Sequence, residues 1–197
     1  MTSAEVGPKV TVANPTDAEL VESCLAGRRE SFDVLVERHQ RHVYQLCYRF
    51  VGNHEDASDL TQDVFVRAYR ALRNFKGEAS LGTWLYRIGV NVCLNKVGAK
   101  TPKPDSLDPL LAASDERIAS PGESASDAVL RAERAVQVRA AIARLPKKQR
   151  ATLILRIYHE LPHEEIAGIL GSSVGAVKAN FFHALNNLKK LLNDTPL

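Results

Sequence analysis

Cysteine is scarce in this chain. Its 197 residues contain three, Cys24, Cys47 and Cys93, widely separated and odd in number. There is no CxxC pair and no Cys/His spacing of the kind that binds zinc. Each cysteine sits in an apolar, helical context and reads as a buried free thiol. His39 and His42 lie one helical turn apart with no third ligand nearby, so they read as a solvated helix face and no metal site is expected. No apolar run approaches the ~20 residues that cross a bilayer. The opening MTSAEVGPKVTVANP has no signal-peptide hydrophobic stretch. Free thiols without an export signal point to the cytoplasm. A Gly-rich phosphate loop and a nucleophile elbow are also missing. Glu164–Glu165 reads as the acidic first turn of a helix, not as a catalytic pair. Neither a catalytic residue nor a cofactor is expected. No internal repeat is visible, and no segment reads as a strand.

Charge is nearly balanced at +3 overall, so its distribution carries the information. Residues 1–97 hold twelve Lys+Arg and twelve Asp+Glu, and 98–127 hold three against six. Residues 128–197 hold eleven against five. The positive excess therefore sits at the C-terminal end, where a reader of nucleic acid would need it.

That end carries LPKKQRATLILRIYHELPHEEIAGILGSSVGAVKANFFHALNNLKKLL, Leu145 to Leu192. His163-Glu164-Glu165 opens a short helix burying Ile166, Ala167 and Leu170. Gly171-Ser172-Ser173 is a tight turn, with Gly171 free to take the left-handed backbone and Ser173 placed to cap the second helix. This longer helix, from Val174, carries Val177, Phe181, Ala184, Leu185, Leu188, Leu191 and Leu192 on one arc. Short helix, glycine turn and longer helix form the pattern of a helix-turn-helix DNA reader. The outer face of the second helix holds Gly175, Ala176, Ala179, Asn180 and His183, small or polar, and further along Asn187. Lys178 lies on a flank within reach of a phosphate. An αα-hairpin with a merely solvated outer face is the competing reading.

Residues 1–15 form a loose tail closed by Pro15. Thr16 or Asp17 caps a first helix that Gly27 ends, and a longer helix covers Ser31 to Val51 with Phe32, Leu35, Val36, Val43, Leu46, Cys47 and Phe50 at helical spacing. The next helix, Glu55 to Asn74, puts Ala57, Leu60, Val64, Phe65, Ala68, Ala71 and Leu72 on one arc. Asp56, Asp59, Asp63, Arg67 and Arg70 lie opposite. Acids lead and bases trail, as the helix dipole favours. Val66 projects among the polar residues, flanked by Gln62 and Tyr69. An apolar residue ringed by charges is what a protein-binding surface presents, although an ordinary amphipathic helix tolerates one exposed Val.

Phe75 to Ser80 is a loop and Leu81 to Leu94 a helix. Together they gather Lys76, Trp84, Tyr86, Arg87, Asn91, Asn95 and Lys96. Rings, amides and cations in one region suit single-stranded nucleic acid. Trp84 is equally at home in the core, the reading favoured for it, and residue chemistry does not choose for Arg87, Asn91 and Lys96. Residues 98–127, with Pro102, Pro104, Pro109 and Pro121, form a linker that could hold a short helical piece near Pro109 to Ala113. It reaches ~100 Å fully stretched and averages ~30 Å as a coil. Helices resume at Ala128 and again over Lys147 to Tyr158.

Three blocks in series, EDASDLTQDVFVRAYRAL, FKGEASLGTWLYRIGVN and the Leu145–Leu192 segment, resemble the bacterial sigma factors of the extracytoplasmic-function (ECF) type. The resemblance covers most of the chain outside tail and linker. It implies an all-α fold of two small helical domains, a sigma-2-like bundle over 16–97 and a sigma-4-like helix-turn-helix domain over 128–197, joined by the flexible linker. It implies a non-catalytic promoter-specificity subunit whose partners are core RNA polymerase, promoter DNA as duplex and as melted non-template strand, and an anti-sigma factor, with no membrane insertion. By the same resemblance Asp56, Asp59, Gln62, Asp63, Val66, Arg67 and Tyr69 dock on polymerase. Lys76, Trp84, Tyr86, Arg87, Asn91 and Lys96 open and read the minus-10 element by capturing a flipped base. Ser173, Gly175, Ala176, Lys178, Ala179, Asn180 and His183 read the minus-35 element.

This chain departs from the family in two places. Ala176, Ala179 and Asn180 stand where Thr, Ser and Arg are frequent, and His183 and Asn186 stand where Arg is. After Asn91 the usual Asp and basic cluster are thinned to Asn95, Lys96 and Lys100. Two other classes are weighed beside the sigma reading. A LuxR-like regulator would need a sensing domain, yet 16–97 shows no strand–helix alternation. An enzyme would need one of the constellations found missing.

Overall fold

The computed structural model describes residues 14–99 and 125–193. The possible helical piece at Pro109–Ala113 and residues 1–13 of the tail lie outside the described residues.

Thr16 starts the first helix. Its hydroxyl accepts from the Glu19 amide while the Glu19 carboxylate accepts from the Thr16 amide at 2.6 Å, a reciprocal capping box. Helix α1 (Asp17–Leu25) packs on α2 (Glu30–Val51), and Asn53 caps α3 (His54–Ala71), its side-chain carbonyl accepting from the Asp56 amide at 2.8 Å. The expected helix to Asn74 tightens into a 3-10 turn over Leu72–Asn74 before the loop. Helix α4 (Leu81–Ala99) runs five residues past Leu94, into the segment expected as linker. Nothing from Asn95 to Ala99 forbids helix, and the Lys96 charge suits a helix C-terminus.

Helices α2, α3 and α4 pack mutually around Leu35, Val43, Leu46, Phe50, Val64, Phe65 and Val90, all buried. The α2–α4 crossing is close because Gly89 faces Leu46. A Cβ at position 89 would stand 2.8 Å from Leu46 Cδ2. One helical turn further along α4, the thiol of Cys93 meets that of Cys47. That hydrogen bond, and then burial, hold the Cys93 thiol well above its ordinary value. Both are buried free thiols, as expected, whereas Cys24 is only half-buried.

The C-terminal half contains α5 (Ala125–Ala143), α6 (Lys147–Ile157), α7 (His163–Leu170) and α8 (Val174–Asn193). Helix α8 packs on α5, α6 and α7. The seam holds Ile154, Ile166, Val177 and Ala184, none more than marginally exposed. Leu185, placed on the buried arc by the sequence pattern, is 42 % exposed and its neighbour Phe182 is 62 % exposed. The apolar stripe is narrower than the sequence suggests.

The two halves also meet. Helix α4 packs on α7, and α2 packs on α5 and α6. Among the described residues no helix is long and apolar enough to cross a membrane.

Candidate nucleic-acid and protein interfaces

The turn between α7 and α8 is built as its sequence suggests. Gly171 takes φ +57°, a left-handed conformation that costs glycine little, and its amide and that of Ser172 both return to the Ala167 carbonyl. Ser173 Oγ accepts from the Ala176 amide at 3.2 Å, capping α8. No acidic residue stands in the first turn of α8, so its positive end is uncompensated. Ser173, Gly175, Lys178, Ala179 and His183 are exposed, and Ala176 and Asn180 are half-buried. All seven lie within the turn and the first half of α8. Asn187, expected on the outer face, instead turns in and donates to Gln149 at 2.8 Å.

On α3 the polar face is mostly solvent-facing. Val66 is 47 % exposed and Tyr69 42 %, with Asp59, Gln62 and Arg67 exposed around them. Arg67 donates to Asp63 at 2.9 Å, and this hydrogen bond raises the guanidinium pKa. The Tyr69 ring meets Phe32 of α2 edge-on at 5.0 Å between centroids, which fixes the ring while leaving its outer face open. Asp56 stands apart from this patch. It is half-buried, accepting from Asn53 at 3.0 Å and pairing with Lys96 Nζ at 2.7 Å.

The six residues expected at the minus-10 region divide. Lys76, Trp84 and Arg87 line a cleft of about 640 Å³ beneath the Asn74–Ala79 loop. Lys76 and Arg87 are exposed, while Trp84 is half-buried and tilts against Phe75 at 5.3 Å. Trp84 thus serves the core and faces the cleft together. Asn91 is exposed a turn beyond Arg87. Tyr86 turns away, its hydroxyl 3.0 Å from His159 Nδ1, and burial raises its pKa. Lys96 is held by Asp56, whose hydrogen bond is the first cause raising its pKa, with Asp59 and Glu55 adding.

The far wall of the cleft comes from the other half of the chain. Glu164, Glu165, Gly168 and Ile169 of α7 face the loop, and Thr83 Oγ1 donates to Glu165 Oε2 at 3.1 Å. Sequence reasoning missed this wall, because no periodicity in α7 reports what lies across from its acidic turn. Among the described residues no group of three His, Cys, Asp or Glu side chains could hold a metal ion.

The family model described as Sigma-70 region 2 matches residues 35–101, and that described as Sigma-70, region 4 matches residues 135–188. Curated relatives align along nearly the whole chain. The RNA polymerase sigma-H factor of Pseudomonas aeruginosa is 35 % identical, covering 89 % of this chain and 93 % of that protein. The ECF RNA polymerase sigma factor SigW of Bacillus subtilis is 34 % identical (85 % and 92 %). The ECF RNA polymerase sigma-E factor of Escherichia coli K12 is 36 % identical (86 % and 90 %). Among solved structures, CnrH in complex with the cytosolic domain of CnrY superposes with a TM-score of 0.62 at 26 % identity, over 91 % of this chain and 99 % of that one. The sigma factor RpoE in complex with the anti-sigma factor NepR from Bartonella quintana shares the fold, with a TM-score of 0.59 at 20 % identity over 85 % and 99 %. With both sigma-70 regions in order and these relatives matched nearly end to end, the chain belongs to the extracytoplasmic-function (ECF) family of RNA polymerase sigma factors.

Proposed function

We propose that the chain directs core RNA polymerase to promoters through three surfaces on two helical domains, one ending with α4 at Ala99 and one beginning with α5 at Ala125, joined by the segment between them. The α3 face of Asp59, Gln62, Asp63, Val66, Arg67 and Tyr69 docks on polymerase, with Asp56 at its edge. The Asn74–Ala79 loop and α4 read the melted minus-10 strand through Lys76, Trp84, Arg87 and Asn91. Tyr86 and Lys96 join once His159 and Asp56 release them. The start of α8 reads the minus-35 duplex through Ser173, Gly175, Ala176, Lys178, Ala179, Asn180 and His183.

The observation that carries this reading is the exposed apolar pair Val66 and Tyr69, ringed by charge, in one chain with a capped helix-turn-helix. A self-sufficient DNA regulator has no need of such a protein-facing patch. Chemistry belongs to the polymerase, which supplies the active site and magnesium, and the chain acts in the cytoplasm without a cofactor of its own. Extruding a minus-10 base costs a few kcal/mol, which stacking on Trp84 and phosphate contacts from Lys76 and Arg87 must offset. An anti-sigma factor is the expected regulator, as NepR is for the Bartonella RpoE.

The test is transcription by core polymerase on genomic DNA fragments, with core and chain each run singly as controls. Discrete start sites dependent on both components are expected. Tight duplex binding that never redirects core would replace this reading with that of a regulator.

A further inference from the structure

Cys47 of α2 and Cys93 of α4 are free thiols with no exposed surface, and neither has a part in the three surfaces. Gly89 lets the two helices approach beside them, and the thiols meet in a hydrogen bond. That bond has a direction. Cys93 donates it, which holds the Cys47 thiol below its ordinary value against the opposing effect of burial. Cys93 is held well above its own. One sulfur is thus the readier thiolate and the other keeps its proton, the asymmetry that separates an attacking from a resolving cysteine.

A cation stands beside the pair. Arg150 of α6, 2 % exposed, brings its guanidinium near enough to Cys93 for the two to interact electrostatically. Its two Nη atoms donate to the carbonyls of Phe50 and Ala143. Its Nε is buried without a hydrogen-bond partner among the described residues. A buried N–H left over beside two thiols is a donor that an anion on sulfur would satisfy.

We propose that Cys47 and Cys93 are an oxidation site, at which a hydroperoxide joins them in a reversible disulfide between α2 and α4. The Cys47 thiolate attacks one peroxide oxygen, and the O–O bond breaks. The other oxygen leaves with the proton that Cys47 gave up, as water when the oxidant is hydrogen peroxide. Cys47 is then a sulfenic acid. Cys93 attacks the Cys47 sulfur, the S–O bond breaks, and the hydroxyl leaves as water with the Cys93 proton. Two thiols are oxidised by two electrons in all, and one peroxide is reduced. Hydrogen peroxide is little larger than water and reaches the sulfurs when α4 opens locally from α2. Because the sulfurs already touch, the bridge closes with little movement of either helix. It also constrains the unfolded chain between positions 47 and 93, so it stabilises the bundle.

The test adds hydrogen peroxide to the full chain carrying Cys24→Ser, which removes the third thiol. Intact mass should fall by two hydrogens, and both remaining thiols should become closed to alkylation. The melting temperature should rise by several degrees. Dithiothreitol should reverse all three changes. Thiols that stay free, a bridge that forms only in denaturant, or a bridge that lowers the melting temperature overturns the proposal.

The order of attack is read with dimedone, which captures sulfenic acid. Adding Cys93→Ser should stop the reaction at Cys47 and give strong capture there. Adding Cys47→Ser instead should leave Cys93 captured roughly tenfold less or weaker. Equal capture overturns the assignment of Cys47 as the attacking thiol. If a serine variant fails to fold by circular dichroism, brief oxidation of the parent chain with dimedone present decides the order. Label on Cys93 there would overturn it.

Discussion

Lys96 Nζ lies 2.7 Å from Asp56 Oδ1, tying the far end of α4 to the first turn of α3. A cation expected to meet DNA phosphate is thus held by a carboxylate on α3, the helix proposed to dock on polymerase, with Glu55 and Asp59 close by. Each side chain is 34 % exposed, so the pair itself contributes below ~1 kcal/mol of stability. Lys96→Ala should leave the melting temperature within a few degrees of wild type and weaken open-complex formation, read as lower permanganate reactivity of minus-10 thymines. Asp56→Asn should free the ammonium and raise that reactivity. Equal reactivity in all three proteins would remove Lys96 from the melting step.

Val66 is the apolar centre of the α3 patch, and a charge there cannot be buried against a partner without a large desolvation cost. Val66→Asp should weaken core binding roughly tenfold or more while circular dichroism stays unchanged, because nothing in the fold depends on this exposed side chain. Normal affinity in a folded variant would move the docking face elsewhere.

Gly89 sits where α4 packs against Leu46 of α2. Gly89→Ala puts a methyl 2.8 Å from Leu46 Cδ2, in a residue with no exposed surface, and should destabilise by about 1–2 kcal/mol. Thermal unfolding would show a drop of several degrees, and Leu46→Val, which lacks the obstructing carbon, should recover part of it. A drop that Leu46→Val leaves untouched would point to backbone effects instead.

His159 makes closure of the two halves on each other sensitive to acid. Burial first, and then His42 and Arg49 of α2, hold its imidazole down to about 4, while the Tyr86 hydroxyl of α4 lies 3.0 Å from its Nδ1. A base with a lowered pKa is neutral in the closed state and binds protons more readily once open. Closure is therefore fully favoured above about pH 6.5 and lost progressively as pH falls towards 4. Between pH 7.5 and 5.5 the opening equilibrium should rise roughly tenfold, read by small-angle scattering. His159→Phe, which keeps a ring beside Tyr86, should flatten the profile. A profile identical in both proteins would assign the titration to another group.

Some of this was legible residue by residue. Thr16, Gly171 and Ser173 act within one helical turn of themselves, so their capping and turn roles come from identity and spacing. Val66 was legible for the same reason, as an apolar residue on the polar side of a regular helix. Leu185 lies outside the buried stripe and Asn187 bonds to α6, because the width and direction of a buried stripe depend on which neighbours cover it. Tyr86 and Lys96 share a helix with Arg87, but their partners are His159, just beyond α6, and Asp56 of α3.

The helices, the two sigma-70 regions and the family can be read from the chain alone, since helical periodicity, caps and motif order are local or serial properties. How the halves meet is visible only once the chain is folded. The contacts of Arg150 with Phe50 and of Glu165 with Thr83 span 100 and 82 positions. Their closure depends on which polar groups find partners across a seam, and no local pattern in either half carries that information.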